Sequence, residues 1–257
     1  MKSKEKLQVK IEELAKQPYN QILCYPRPKD KETTKRINEL KSLGVKILEF
    51  LGDKNISGIP VLGKGCVGIV VVAYLEDGER IALKIRRVDA DRASMRHEAE
   101  MLKKANSVDV GPKLLGFTEN FLLMQYIDGK LLPKWLNETK NLGLIKKVLC
   151  DLFQQCFKLD QINLDHGELS NAAKHLIIDF KNKPYILDFE TASDRRKPAN
   201  LTSLAQYLLI RRPIADKIAS IIGKIDKQKL IDTLRSYKKE KTKENFEKIL
   251  EVCGLKF

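Results

Sequence analysis

The 257-residue sequence predicts an α+β protein of two lobes, a small antiparallel β lobe followed by a mainly helical one. Three observations predict it. Residues 61–85 place a glycine-rich turn ahead of a β-branched run, Ile69-Val70-Val71-Val72-Ala73. The Asp77-Gly78 turn signal and a second apolar run follow, a hairpin pattern. Two further short runs, Leu114–Thr118 and Phe121–Ile127, repeat that pattern. From residue 127 onward the spacing becomes helical, with Gly143–Leu159 its longest stretch.

Taken in order, residues 1–58 carry helical patterns over Ser3–Lys16 and Lys31–Phe50, parted by the extended break Tyr25-Pro26-Arg27-Pro28-Lys29. They read as a helical N-terminal extension, either a small regulatory or recognition module or helices packed on the β lobe. Residues 59–126 form the β lobe with one helix, Asp89–Ala105. Asp89 or Asp91 is placed to cap it, and Ala93, Met95, Ala99, Met101 and Leu102 to pack. Residues 127–257 form the helical lobe. In its long helix Leu144, Val148, Leu149, Leu152, Cys156 and Leu159 are expected to face inward, and Asn200 to cap a later helix.

The chemistry-bearing residues fall in a fixed order. Gly63, Gly65 and Gly68 make G-x-G-x-x-G, which here opens a strand; a dinucleotide-binding triplet would open a helix. Lys84 ends the next strand. Glu98 and Glu100 lie on the following helix, and Met124-Gln125-Tyr126 ends the second hairpin. His166-Gly167-Glu168-Leu169-Ser170 follows the long helix, and Tyr185-Ile186-Leu187 runs into Asp188-Phe189-Glu190.

This order resembles that of the protein kinase-like superfamily over about Ile59 to Leu209, and within it the atypical archaeal Ser/Thr kinases allied to the RIO kinases and the KEOPS-complex kinase. The resemblance implies a bilobal kinase-like fold, ATP with Mg²⁺ or Mn²⁺, and phosphoryl transfer to a protein Ser or Thr. It implies nucleotide contacts from Gly63, Lys64, Gly65, Cys66, Gly68, Val70, Ala82, Lys84, Met124 and Tyr126. Glycines let backbone approach phosphate, Val70 covers the adenine, and Lys84 supplies charge to the phosphates. Glu98, with Glu100 as competitor, pairs with Lys84. Asp188 holds the metal, seconded by His175 or Asn171, and Glu168 orients the acceptor hydroxyl.

The C-terminal motifs depart from the family pattern. Glu168 stands where Asp is usual, and Ala173, five residues on, cannot bind a metal. Aligned on the strand His175–Asp179, His175 takes the usual Asn place with two extra residues in the loop. Glu190 replaces a glycine. Eleven residues separate Asp188 from Asn200, too few for a long peptide-substrate platform. Two alternatives therefore stand beside the protein kinase: a nucleotide-binding pseudokinase scaffold in a ribosome- or tRNA-linked assembly, and a small-molecule phosphotransferase.

Composition narrows the partners. A net charge of +14 and a pI of about 9.4 fit either a solvated basic surface or an RNA or ribonucleoprotein partner. No run approaches a membrane span and no secretory apolar region opens the chain, so a cytoplasmic protein without membrane contact is expected. The five cysteines contain no C-x-x-C pair, and Cys150 and Cys156 sit about 240° apart on their helix, so free thiols are expected. Cys66 alone should stand open, at the tip of the glycine loop.

Overall fold

Strands begin earlier in the chain than the sequence patterns indicate. In the computed structural model, residues 7–256 are described. The first unit comprises residues up to 100 and residues 113–126. It runs β1 (Leu7–Lys10), a 3-10 turn Ile11–Ala15, α1 (Asn20–Leu23), α2 (Asp30–Ser42), β2 (Val45–Phe50), β3 (Lys54–Ile56), β4 (Ile59–Val61), β5 (Gly63–Lys64), β6 (Gly68–Leu75), β7 (Arg80–Arg86), α3 (Arg96–Asn106, divided between the units), β8 (Leu114–Phe117) and β9 (Phe121–Gln125). One seven-stranded sheet has the order β1-β2-β6-β7-β9-β8, with β5 added on β6; β3 and β4 pair separately.

The helices expected over Ser3–Lys16 and Lys31–Phe50 are therefore corrected, residues 3–6 lying outside the described residues. In the second segment Gly44, at φ +72°, ends α2 by donating to the Lys41 carbonyl, the left-handed stop that glycine allows. The next six residues then have the β-branched content and burial of a strand. In the first, Leu7–Lys10 pairs along β2, and the sheet offers those backbone groups more partners than one helical turn would.

Residues 7–58 are thus part of the sheet and its cover. The alternate positions Ile69, Val71, Ile81, Leu83, Phe121 and Leu123 form one core with Ile11, Leu14, Ile22, Leu23, Leu40 and Phe50. Arg36 of α2 is wholly buried there. Its guanidinium donates to the Leu23 carbonyl at 2.7 Å and to Asn120 Oδ1 at 2.9 Å, and it pairs with Glu32 at 2.7 Å, so no charge is stranded.

The second unit holds residues 101–112 and 127–257. It contains β10 (Gly129–Leu131), α4 (Leu132–Glu138), α5 (Leu142–Gln161), a 3-10 turn Leu169–Lys174, β11 (Leu176–Asp179), β12 (Pro184–Ile186), α6 (Asn200–Ala205), a π turn Gln206–Ile210, α7 (Ile214–Ile222), α8 (Lys227–Lys239) and α9 (Lys243–Val252). Strands β10-β11-β12 form an antiparallel sheet. Asn141 caps α5 by accepting from Leu144 N–H, which leaves Leu144 half-exposed and turns Ile145 inward; Val148, Leu149, Leu152, Cys156 and Leu159 are buried.

A buried polar chain crosses this unit. Tyr237 donates to Asp160 at 2.9 Å, and Asn200 Nδ2 donates to Asp160 at 2.8 Å and to the Leu164 carbonyl at 2.7 Å. Burial pushes the Asp160 carboxyl above its ordinary range against these hydrogen bonds. Asn200 is the first residue of α6, one place inside the expected cap position. All five cysteines are free, Cys66 alone being exposed. Among the described residues no helix is long and apolar enough to cross a membrane.

Candidate functional site

Register decides what the glycine-rich hairpin presents. Gly63 pairs with Val70, Val70 with Lys84 and Lys84 with Leu122; one step along, Val72 pairs with Ala82 and Ala82 with Met124. Directly opposed residues share a face. Val70, Ala82, Lys84 and Met124 therefore lie together, on the face opposite the core built by residues 7–58. Lys64 pairs with Ile69, a core-face residue, so its side chain leaves the group. Its Nζ stands 4.5 Å over the Tyr25 ring, so of this residue only the backbone stays with the glycine turn.

Lys84 reaches Glu98 with Nζ 2.9 Å from Oε1 and 2.8 Å from Oε2, both residues buried. Glu100 is exposed, so Glu98 is the partner of the two. Helix α3 starts at Arg96, not Asp89, because Asp89 gives its carboxylate to Arg87 at 2.8 and 2.7 Å and caps nothing. Ala93 is exposed, while Met95 and Ala99 pack with Leu122 and Val67. That packing brings Glu98 to the lysine.

The glycines have separate uses. Gly65 N–H donates to the Gly68 carbonyl at 2.8 Å and closes the turn. A Cβ on Gly68 would lie 3.0 Å from Lys84 Cγ and 3.1 Å from both Lys84 Cε and the Ile85 carbonyl oxygen, so glycine here leaves room for the lysine stem. Cys66 is exposed beside them. At the end of the unit, the Arg80 guanidinium stacks 4.2 Å from the Tyr126 ring and pairs with buried Glu49 at 3.1 Å.

The second unit assembles the acidic residues. Asn200 Oδ1 accepts from His166 N–H at 2.8 Å and fixes the start of the His166–Ser170 loop. His166 is buried. Its Nδ1 accepts from Glu168 N–H at 3.4 Å and its Nε2 meets the Leu187 carbonyl at 2.9 Å, which defines a neutral ring protonated on Nε2. Burial lowers its pKa from 6.5 to about 4. Gly167 has φ +88°, and a Cβ there would meet Thr191 Oγ1 at 2.9 Å. The Thr191 hydroxyl donates to the His166 carbonyl at 3.0 Å, and Arg196 donates to the Thr191 carbonyl at 2.6 Å and to Asp165 at 2.9 Å. Thr191, Arg196 and Asp165 carry no motif. They meet only because Asp165 bridges Ser193 across the fold, a contact no local pattern announces.

His175 joins the two acidic motifs. Its Nε2 lies 2.7 Å from Glu168 Oε2 and its Nδ1 lies 3.7 Å from Asp188 Oδ2. The buried ring is turned so that neither nitrogen makes a well-directed hydrogen bond. Burial lowers the His175 pKa, opposed by the charges of Asp188 and Glu168. Asn171 is exposed on the preceding turn, so His175 is the side chain that meets Asp188. Asp188 has φ +69°, a left-handed backbone outside glycine that concentrates at functional sites. Its carboxylate and those of Glu168 and Glu190 stay partly exposed. These hard oxygen donors fit Mg²⁺, and the adjoining imidazole adds a donor that transition metals favour.

A comparison with curated proteins gives no match. Among solved structures, the chain is similar to the autoinhibited serine kinase domain of the giant muscle protein titin, with a TM-score of 0.54 at 15% identity, over 76% of this chain and 78% of that one. That likeness shows the protein kinase fold. The RIO domain family matches residues 70–208, more than half of the chain. By that match, and by the glycine hairpin, Lys84–Glu98 pair and Asp188 turn within or beside it, the chain belongs to the RIO domain family of kinase-like, ATP-binding phosphotransferases.

Proposed function

We propose that the protein is a Ser/Thr protein kinase that transfers the γ-phosphoryl group of ATP to a protein hydroxyl. The observation that carries this reading is the Lys84–Glu98 pair, buried on the sheet face that also bears Val70, Ala82 and Met124. A lysine held by a carboxylate on both oxygens is oriented, a compact positive charge on the face where the phosphates would lie. Val70, Ala82 and Met124 give the adenine an apolar surface, and the backbone near Tyr126 supplies its polar contacts. Gly63, Gly65 and Gly68 let the loop backbone close on the phosphates.

In the second unit Asp188 holds the metal with His175 beside it. When bound, the metal neutralises charge on the transferring phosphoryl oxygens. Glu168 accepts a hydrogen bond from the acceptor hydroxyl and aligns it. Its contact with His175 limits where its longer side chain can swing. The loose transition state of phosphoryl transfer asks for alignment more than for early proton removal, so glutamate in place of aspartate is compatible with turnover. The eleven residues after Asp188 are tied to the loop by Thr191, Ser193 and Arg196, which suits a small or flexible acceptor segment, the protein's own chain included.

Incubation of the pure protein with radiolabelled ATP and Mg²⁺ or Mn²⁺, followed by mapping of labelled residues, tests the reading. Label is expected on Ser or Thr, and Glu168→Gln is expected to reduce its rate about 100-fold while leaving ATP binding intact. Glu168→Asp, which shortens the reach, should also be slower than wild type. ATP binding with no transfer under either metal would favour the nucleotide-binding scaffold instead.

A further inference from the structure

The glycine turn is held from the side opposite the lysine. Tyr25, in the turn that follows α1, receives Lys64 Nζ at 4.5 Å and the Arg87 guanidinium carbon at 5.0 Å from its ring centroid. Arg87 stands just past the end of β7 and also holds the turn directly. Its Nη1 donates to the Gly65 carbonyl at 3.0 Å, and its backbone N–H donates to the Val67 carbonyl at 2.8 Å. Asp89 fixes the same guanidinium through two bonds, at 2.8 and 2.7 Å. Tyr25 is anchored in turn, because its carbonyl accepts from Val88 N–H at 2.9 Å and its ring packs against the core of the first unit.

We propose that Tyr25 is a positioning residue for the nucleotide loop: its ring, gripped by Lys64 and Arg87, ties the N-terminal segment to the glycine turn and keeps that turn ordered before nucleotide arrives. The proposal rests on the reading of this loop as the phosphate cover. A turn bounded by two glycines, Gly65 and Gly68, loses much conformational freedom on ordering. When that loss occurs on binding, affinity falls by the same free energy; a turn ordered beforehand avoids it. Tyr25 acts through the backbone of residues 64–67 and touches no phosphate, so it should change nucleotide affinity more than the rate of transfer from bound ATP. Lys64, the side chain displaced from the nucleotide face, thereby acquires a use.

Hydrogen exchange of the Gly65–Gly68 amides without nucleotide, with ATP affinity measured alongside, tests the clamp on the full chain. Tyr25→Leu removes both ring contacts and is expected to speed loop exchange and weaken ATP binding, each about fivefold to tenfold, with little change in kcat. Tyr25→Phe keeps the ring and should behave as wild type on both measures. Lys64→Met, at an exposed site that does not threaten folding, should give a smaller effect in the same direction. A Leu variant whose loop exchanges at the wild-type rate would overturn the clamp, as would one whose loop loosens while ATP affinity holds. Wild-type protein that binds no ATP would overturn the nucleotide reading instead, and the exchange rates alone would then decide the clamp.

Discussion

The lysine–glutamate pair of the first unit and the carboxylate–histidine group of the second handle charge in opposite ways. Lys84 and Glu98 are 7% and 5% exposed and neutralise each other through both carboxylate oxygens. Glu168 and Asp188 stay 35% and 34% exposed, around a histidine that is 1% exposed. The first arrangement is closed to water, and its value lies in a fixed geometry. The second stands partly in water, where a metal or a hydroxyl can approach. Burial thus separates the group that orients from the groups that exchange partners.

The largest expected effect breaks the closed pair. Lys84→Met should destabilise the protein by about 3–5 kcal/mol, because it leaves the Glu98 carboxylate buried beside an apolar chain. Adding Glu98→Leu should restore most of that stability but no ATP binding. Denaturant unfolding and nucleotide titration of the single and double variants check both halves. Equal stability of the Lys84→Met variant and wild type would show that the pair is not closed in solution.

The counterpart in the open group is Asp188→Asn. Asparagine tolerates the left-handed backbone, so melting should change little. Phosphoryl transfer should fall about 100-fold or more, as it does when a charge-stabilising group is lost from a transition state. A stable variant that labels at the wild-type rate would remove Asp188 from the metal.

Legibility in the sequence follows the same division. Lys84, Val70, Ala82 and Met124 are named through the family resemblance; that they share one face follows from the two-residue alternation of a strand and the pairing a hairpin fixes. The fold class was readable for the same reason. Two things were not. The strands Leu7–Lys10 and Val45–Phe50 sit next to helix-like spacing, and only the edge of a distant sheet decides their conformation. His175 was readable as a candidate, but its place between Glu168 and Asp188 depends on two extra loop residues and a 3-10 turn, which set a direction no periodicity encodes.

A third test uses the neutral imidazole that supports the open group. His166 has a folded pKa of about 4 against 6.5 when unfolded, so the unfolded chain takes up this proton first as pH falls. Its contribution is complete above pH 6.5 and is lost progressively toward pH 4, on the order of 3 kcal/mol. Melting temperatures of wild type and His166→Gln across that window should converge as pH falls. A constant difference would show that His166 takes no part in the pH response.

The smallest expected effect sharpens the closed side. Gly68→Ala should weaken ATP binding by about 1 kcal/mol, roughly fivefold, by crowding the Lys84 stem against the Ile85 carbonyl. Gly63→Ala, where a Cβ would meet only Val70 atoms at 3.5 Å, should show less. Isothermal titration of both variants ranks them, and the reverse order would mean that the lysine stem is not confined.

The sheet face covered by residues 7–58 has a practical meaning for anyone handling this protein. The family match begins at residue 70, yet Val71, Ile81, Leu83 and Phe121 are roofed by side chains that come before it. A version trimmed to the matched span would put a slab of valine, isoleucine, leucine and phenylalanine into water beside the unpaired edge of β6, the combination that drives chains to stick to one another. The boundary at which this family becomes recognisable and the boundary at which the sheet keeps its cover are therefore different places in the chain.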